Sequence, residues 1–265
     1  MPLCGPPSGD PILRVAESLK YYHIVFVVDS LSSMDGRDRK PLPNTPISDR
    51  LRLVCNNRYG AVLSALYGFL KSQEGGRTPN QHGRTGVEHT TRSDAYSVLT
   101  FTTTPNVLVT NDASSTTEQL IENLISSRPG GGTSFSAAIE KARDLIETNW
   151  RDKRMPVVIF LSDGECSVPE MDVRSLSQIT PLAFYTISFG TEAHSNSLQI
   201  MACIAHEVYA TSNGPGRADT TNPCAYMNAI DLIQLAQTFL DISHSLQKPR
   251  AALIGSANNR LLLWG

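Results

Sequence analysis

The sequence predicts an α/β protein: a doubly wound, mostly parallel central sheet with one antiparallel edge strand and helices on both faces. Three observations lead there. Apolar runs rich in β-branched residues, at 24–28, 156–161 and 182–189, read as strands buried on both faces. Segments with helical spacing fall between these runs, and that alternation indicates a parallel sheet covered on both sides. The first two runs end abruptly in carboxylates, at Asp29 and at Asp163. Open α/β sheets place their ligands at that carboxyl edge.

Taken in order, residues 1–20 form a lead-in with a short amphipathic piece at 12–19, and residues 21–248 form the domain. The first strand ends in Asp29 followed by Ser30, Ser32 and Ser33. Residues 35–57 are charged and broken by proline, which predicts an ordered loop or insertion. Residues 58–73 carry Ala61, Val62, Ala65, Leu66, Phe69 and Leu70 at helical spacing, the pattern of a first crossover helix. Residues 74–94 have almost no apolar content and predict a mobile surface loop. Residues 95–101 and 107–110 read as a hairpin with Pro105 in its turn. Residues 116–127 read as a short helix through Leu120, Leu124 and Ile125.

A glycine-rich loop, Arg128-Pro-Gly-Gly-Gly-Thr-Ser134, leads into a helix over 134–148 with Ala137, Ile139, Ala142 and Ile146 inward. After the strands at 156–161 and 182–189, residues 197–208 read as helix and 209–211 as a short edge strand. Residues 231–246 form an amphipathic final helix, ended by Lys248 and Pro249. Residues 249–265 are an extension with an apolar tail, readable as the start of a further domain.

Composition narrows the function classes. The 265 residues are 40% hydrophobic, enough to bury a large core. Lys and Arg number 23 against 25 Asp and Glu, a net charge of -2, so no field draws in nucleic acid or an anionic membrane. No basic leader or membrane-length apolar run is present, and no Asn-x-Ser/Thr acceptor. The five cysteines are scattered and form no CxxC pair, against a disulfide framework or a zinc site. A soluble cytoplasmic protein is expected.

Parallel topology gathers three distant segments at one sheet edge: Asp29 with its serines, Thr133 after three glycines, and Asp163 with Gly164. The glycines would let the backbone approach closely. Oxygen donors without thiol or imidazole suit a hard divalent cation, Mg²⁺ or Mn²⁺. A Ser-rich turn that only caps the next helix is the structural alternative. Gly130 to Gly132 are not followed by the Lys-Ser/Thr of a P-loop, and neither a dinucleotide fingerprint nor a nucleophile elbow exists.

The pieces VVDSLSSM, GGGTSF and FLSDGE, in that order and separation, resemble the von Willebrand factor type A domain. The resemblance covers roughly residues 23–246 and implies that family's Rossmann-like fold. It also implies a metal-ion-dependent adhesion site of the D-x-S-x-S type, in which Asp29, Ser33, Thr133 and Asp163 fall on the metal positions. One position departs: Leu31 stands where the family usually has a hydroxyl ligand, so water would have to fill that place. The implied function is a non-enzymatic module that binds a protein partner by letting an acidic residue of that partner complete the ion's shell. Loops 35–57, 74–94 and 165–180 would surround the site. Two alternatives stand beside it, a metal-independent scaffold with a vestigial site and a metal-assisted hydrolase using Glu165 as general base.

Overall fold

The computed structural model describes residues 21–75, 94–151, 154–179, 181–190, 194–213 and 223–261. Among these residues, six strands, β1 (Tyr21–Asp29), β2 (Ala95–Phe101), β3 (Pro105–Asp112), β4 (Arg154–Ser162), β5 (Ala183–Phe189) and β6 (Cys224–Ala229), form one sheet in the order β3-β2-β1-β4-β5-β6. Every neighbouring pair is parallel except β2 with β3. The expected antiparallel edge strand is therefore present. Pro105 opens β3 instead of sitting in the turn, and the edge tolerates a residue without an N–H.

Among the described residues, seven helices cover the sheet: α1 (Ser48–Val54), α2 (Arg58–Gly75), α3 (Thr117–Ile125), α4 (Phe135–Thr148), α5 (Glu170–Ser177), α6 (Asn196–Asn213) and α7 (Leu232–Leu261). Strand pleating divides β1 between two cores. Ile24, Phe26 and Val28 share one with α2, α3 and α7; Val25 and Val27 share the other with α4, α5 and α6. Both cores hold a triangle of aromatic rings. Phe26, Phe69 and Phe239 lie 5.3–6.1 Å apart on the first face. Phe101, Phe135 and Phe160 lie 5.0–5.9 Å apart on the second, just below the carboxyl edge.

The structure corrects several expectations. The segment 35–57 is not loop throughout: residues 32–35 make a 3₁₀ turn, and α1 forms because Ile47 and Leu51, one turn apart, are both buried. In α4 the inward positions include Ala138 and Leu145, while Ala137 is only half-buried. The segment 165–180 contains α5, which buries Val173 and Leu176. Residues 209–211 are not a strand; they continue α6, and the edge strand is β6. Three residues are too few for periodicity to separate strand from helix. The last helix does not stop at Lys248 but runs through Pro249 to Leu261. A proline removes one intrahelical hydrogen bond, which a helix absorbs by bending. The expected amphipathic piece at 12–19, most of the loop at 74–94 and the apolar tail from 262 lie outside the described residues. Among the described residues, no helix is long and apolar enough to cross a membrane.

A buried polar seam joins α7 to α2. Ser243 Oγ lies 2.7 Å from Ser72 Oγ and accepts a 2.8 Å hydrogen bond from Gln73 Nε2. Nearby, the Tyr22 hydroxyl donates to the Leu246 carbonyl at 2.7 Å. The entry to α2 is equally specific. Asn57 Oδ1 accepts the Gly60 N–H at 3.0 Å, capping the helix, and Asn57 Nδ2 donates to Asp35 Oδ1 at 2.8 Å.

Gly60 must be glycine, because a Cβ there would lie 1.8 Å from the Cys55 carbonyl oxygen. Replacement by alanine pushes α1 off α2, and Gly60→Ala should lower stability by at least about 2 kcal/mol, read from urea midpoints.

His23 yields a second expectation. It is buried on β1 with Nε2 2.9 Å from Ser97 Oγ, and burial, aided by Arg154, lowers its pKa from 6.5 to about 4. The folded state thus favours the neutral ring. The stability this contributes is full above pH 6.5 and is lost as pH falls toward 4, up to about 3 kcal/mol. Urea unfolding at pH 7 and pH 4 should show a correspondingly smaller acid loss in His23→Gln than in the parent.

Candidate functional site

In this strand order the chain leaves β1 toward β2 on one side and reaches β4 on the other, so the carboxyl ends of β1 and β4 flank the point where the sheet reverses direction. A crevice opens at such a point. Asp29 is the last residue of β1, and Asp163 immediately follows β4.

Asp29 is fully buried. Its Oδ1 accepts the Leu31 N–H at 2.9 Å, and its Oδ2 accepts the Ser162 hydroxyl at 2.5 Å. Burial pushes its pKa up to about 6, and the nearby Asp163 charge adds to this against the hydrogen bonds from Ser162, Leu31 and Ser30. The Asp163 side chain is likewise withdrawn from water, though its backbone is not. Its Oδ1 accepts from Ser33 Oγ at 2.7 Å and its Oδ2 from Arg58 Nη1 at 2.7 Å.

Thr133 comes to the same edge on the loop before α4. That loop is strapped down by Gly130 N–H to the Ser30 carbonyl at 2.7 Å and Ser134 N–H to the Thr102 carbonyl at 2.9 Å. Among its glycines, Gly131 is the one with a conformational demand, at φ +87°. A Cβ on Gly130 or Gly132 would meet open space or ordinary contact, so close backbone approach is not what the three glycines serve. The loop leaves Thr133 Oγ1 buried and without a hydrogen-bond partner. An orphaned buried hydroxyl is costly and calls for an explanation.

All four expected residues therefore sit at one edge, and Ser33 and Asp163 touch. The other hydroxyls do not join them. Ser30 Oγ is committed to the Phe101 carbonyl at 3.0 Å, and Ser32 is exposed. Leu31 is half-buried in extended conformation and offers no oxygen. Two carboxylates and two hydroxyls, one of them orphaned, fit a hard divalent cation whose remaining positions are filled by water. Among the described residues, no group of three or more His, Cys, Asp and Glu side chains gathers that could hold a metal ion, so the two hydroxyls would have to complete the set.

Three participants went unassigned from sequence. Ser162 had a local signal in the Ser-Asp-Gly turn, where its Oγ also accepts the Gly164 N–H at 3.1 Å. Arg58 and Asp38, joined by hydrogen bonds of 2.7 and 3.0 Å, had none. Glu165 is spent elsewhere: it accepts the Asn196 and Ser197 N–H groups at 2.7 and 3.2 Å and the Ser197 hydroxyl, capping α6. Burial alone would raise its pKa, but those hydrogen bonds outweigh it and hold the carboxyl below its usual range.

Comparison with known proteins agrees with this fold. The profile of the von Willebrand factor type A domain matches residues 24–165. Proximal thread matrix protein 1 from the mussel byssus, solved with a zinc-occupied metal-ion-dependent adhesion motif, is 18% identical at a TM-score of 0.52, over 88% of this chain and 47% of that one. The SpRpn10 VWA domain is 11% identical at a TM-score of 0.55, over 83% of this chain and 93% of that domain. A mutant of the PilB minor pilin from Streptococcus sanguinis is 13% identical at a TM-score of 0.58, over 95% of this chain and 65% of the pilin. This chain thus spans about half the length of the mussel protein. Likeness at these identities establishes the fold. A search of curated protein sequences gave no match.

Removing the Ser162 hydroxyl takes a donor from a carboxylate that cannot reach water. Ser162→Ala should lower stability by about 1–3 kcal/mol at neutral pH, measured by urea unfolding.

Proposed function

The chain belongs to the von Willebrand factor type A family, and on that footing we propose that it is a protein-binding module whose site holds a divalent ion, Mg²⁺ or Mn²⁺, and recognises an acidic residue of its partner. The orphaned Thr133 Oγ1 carries this reading. Without an ion, a buried hydroxyl at the edge that also holds two carboxylates has no favourable partner; with one, it has a ligand role.

Ser33 and Thr133 would supply neutral oxygens, and Asp29 and Asp163 the negative charge. Ser33 already donates its proton to Asp163, which turns its lone pairs away from that carboxylate. Ser162 and the Leu31 N–H hold Asp29 in place. When bound, the ion supplies a positive centre with a coordination position open to a partner's carboxylate. Zinc in the mussel protein's equivalent motif supports a divalent ion at this place.

Glu165, the base that a hydrolase reading needs, is engaged at the α6 N-terminus with its pKa lowered, which favours a binding role over turnover. Among the described residues no disulfide is formed, which fits a reducing compartment such as the cytoplasm.

Calorimetric titration of Mg²⁺ and Mn²⁺ tests the reading, with melting followed in parallel. Binding is expected in the parent, tighter in Leu31→Ser and abolished in Asp163→Ala. At about 100 times the dissociation constant the ion should stabilise the fold by roughly 2.7 kcal/mol. Absence of binding in both the parent and Leu31→Ser would overturn it.

A further inference from the structure

Arg58, the first residue of α2, places a guanidinium at the edge of the ion site. Nη1 donates to Asp163 Oδ2 at 2.7 Å, while Nε and Nη2 grip the two oxygens of Asp38 at 2.7 and 3.0 Å. Its backbone N–H donates to the Gly36 carbonyl at 2.8 Å, so helix start, preceding loop and β4 edge are tied together. The side chain is only 18% exposed, against 36% for Asp38 and 0% for Asp163. Such a forked, fixed cation is well suited to a carboxylate and never gives up its charge.

The chain therefore already supplies Asp163 with a positive partner. An incoming divalent ion must share that carboxylate with the guanidinium, and two like-signed charges on one buried group repel. Asp38 offsets part of this by drawing the guanidinium's charge toward the loop.

We propose that Arg58 sets the affinity of the ion site: it is a tethered cation that competes with the divalent ion for Asp163, so that occupancy of the site is coupled to the Asp38–Arg58–Asp163 chain of ion pairs. This rests on the metal-binding reading above and adds a residue that opposes it. Arg58 acts through Asp163 and is a positioning residue, not a ligand. A site balanced in this way stays compensated when empty and is filled only at high ion concentration.

The test is calorimetric titration of Mn²⁺, at fixed ionic strength, into the whole chain and its variants, each first checked for cooperative melting. Arg58→Met and Arg58→Gln should bind Mn²⁺ about ten- to a hundredfold more tightly than the parent, the range by which neighbouring charges shift such equilibria. Arg58→Lys should stay near the parent. Adding Thr133→Ala to Arg58→Met should cancel the gain. Asp38→Asn, on the exposed side of the ion pair, leaves the guanidinium charge unshared and should weaken Mn²⁺ binding; it gives an independent sign should the Arg58 variants fail to fold.

Equal affinity in the parent, Arg58→Met and Arg58→Gln overturns the role of Arg58 and leaves the metal reading standing. A gain that survives Thr133→Ala, or tighter binding in Asp38→Asn, overturns it as well. Silence in every variant, Leu31→Ser included, overturns both.

Discussion

A carboxylate wholly withdrawn from water at the end of the central strand sets the terms for everything near it. Asp29 ends a strand covered on both faces, so no solvent reaches its side chain. The chain must answer that burial itself, and it does so with the Ser162 hydroxyl on one oxygen and the Leu31 N–H on the other. Burial itself, with a smaller push from the nearby Asp163 charge, makes the demand greater than hydrogen bonds alone meet, which is why Asp29 resists ionisation. Positive charge is the remaining remedy. Arg58 supplies some of it from within, and the unpartnered Thr133 hydroxyl marks where the rest can come from outside.

Rigidity below the site makes this arrangement stable. The triangle of Phe101, Phe135 and Phe160 joins the end of β2, the start of α4 and the body of β4. Phe135 follows Thr133 by two residues, so packing that ring also fixes the height at which the threonine stands. Backbone hydrogen bonds from Gly130 and Ser134 hold the loop from its two ends. The oxygens are thus held by strands and packed rings, which position groups more tightly than free loops do.

Much of this was legible in the sequence, for identifiable reasons. Strands buried on both faces leave unbroken β-branched runs, so β1, β4 and β5 announce themselves, and a carboxylate at the end of such a run stands out. Thr133 was legible through the glycines before it. What the chain hides is what has no local signature. The Arg58–Asp163 ion pair joins positions 105 apart, and nothing around Arg58 distinguishes it from a surface arginine. α1 is held by Ile47 and Leu51 while its Leu53 and Val54 are exposed, so its pattern falls below what periodicity detects. β6 reads Cys-Ala-Tyr-Met-Asn-Ala, a composition with little strand preference, and it pairs only because β5 offers an edge.

The seam between α7 and α2 has a mechanical meaning. Helices joined by apolar side chains alone can creep past one another, since each small displacement trades one contact for a similar one. Ser243 is bonded to both Ser72 and Gln73, and hydrogen bonds of that length do not stretch. Sliding α7 along its axis would therefore break them together, so the seam fixes which turn of α7 faces which turn of α2.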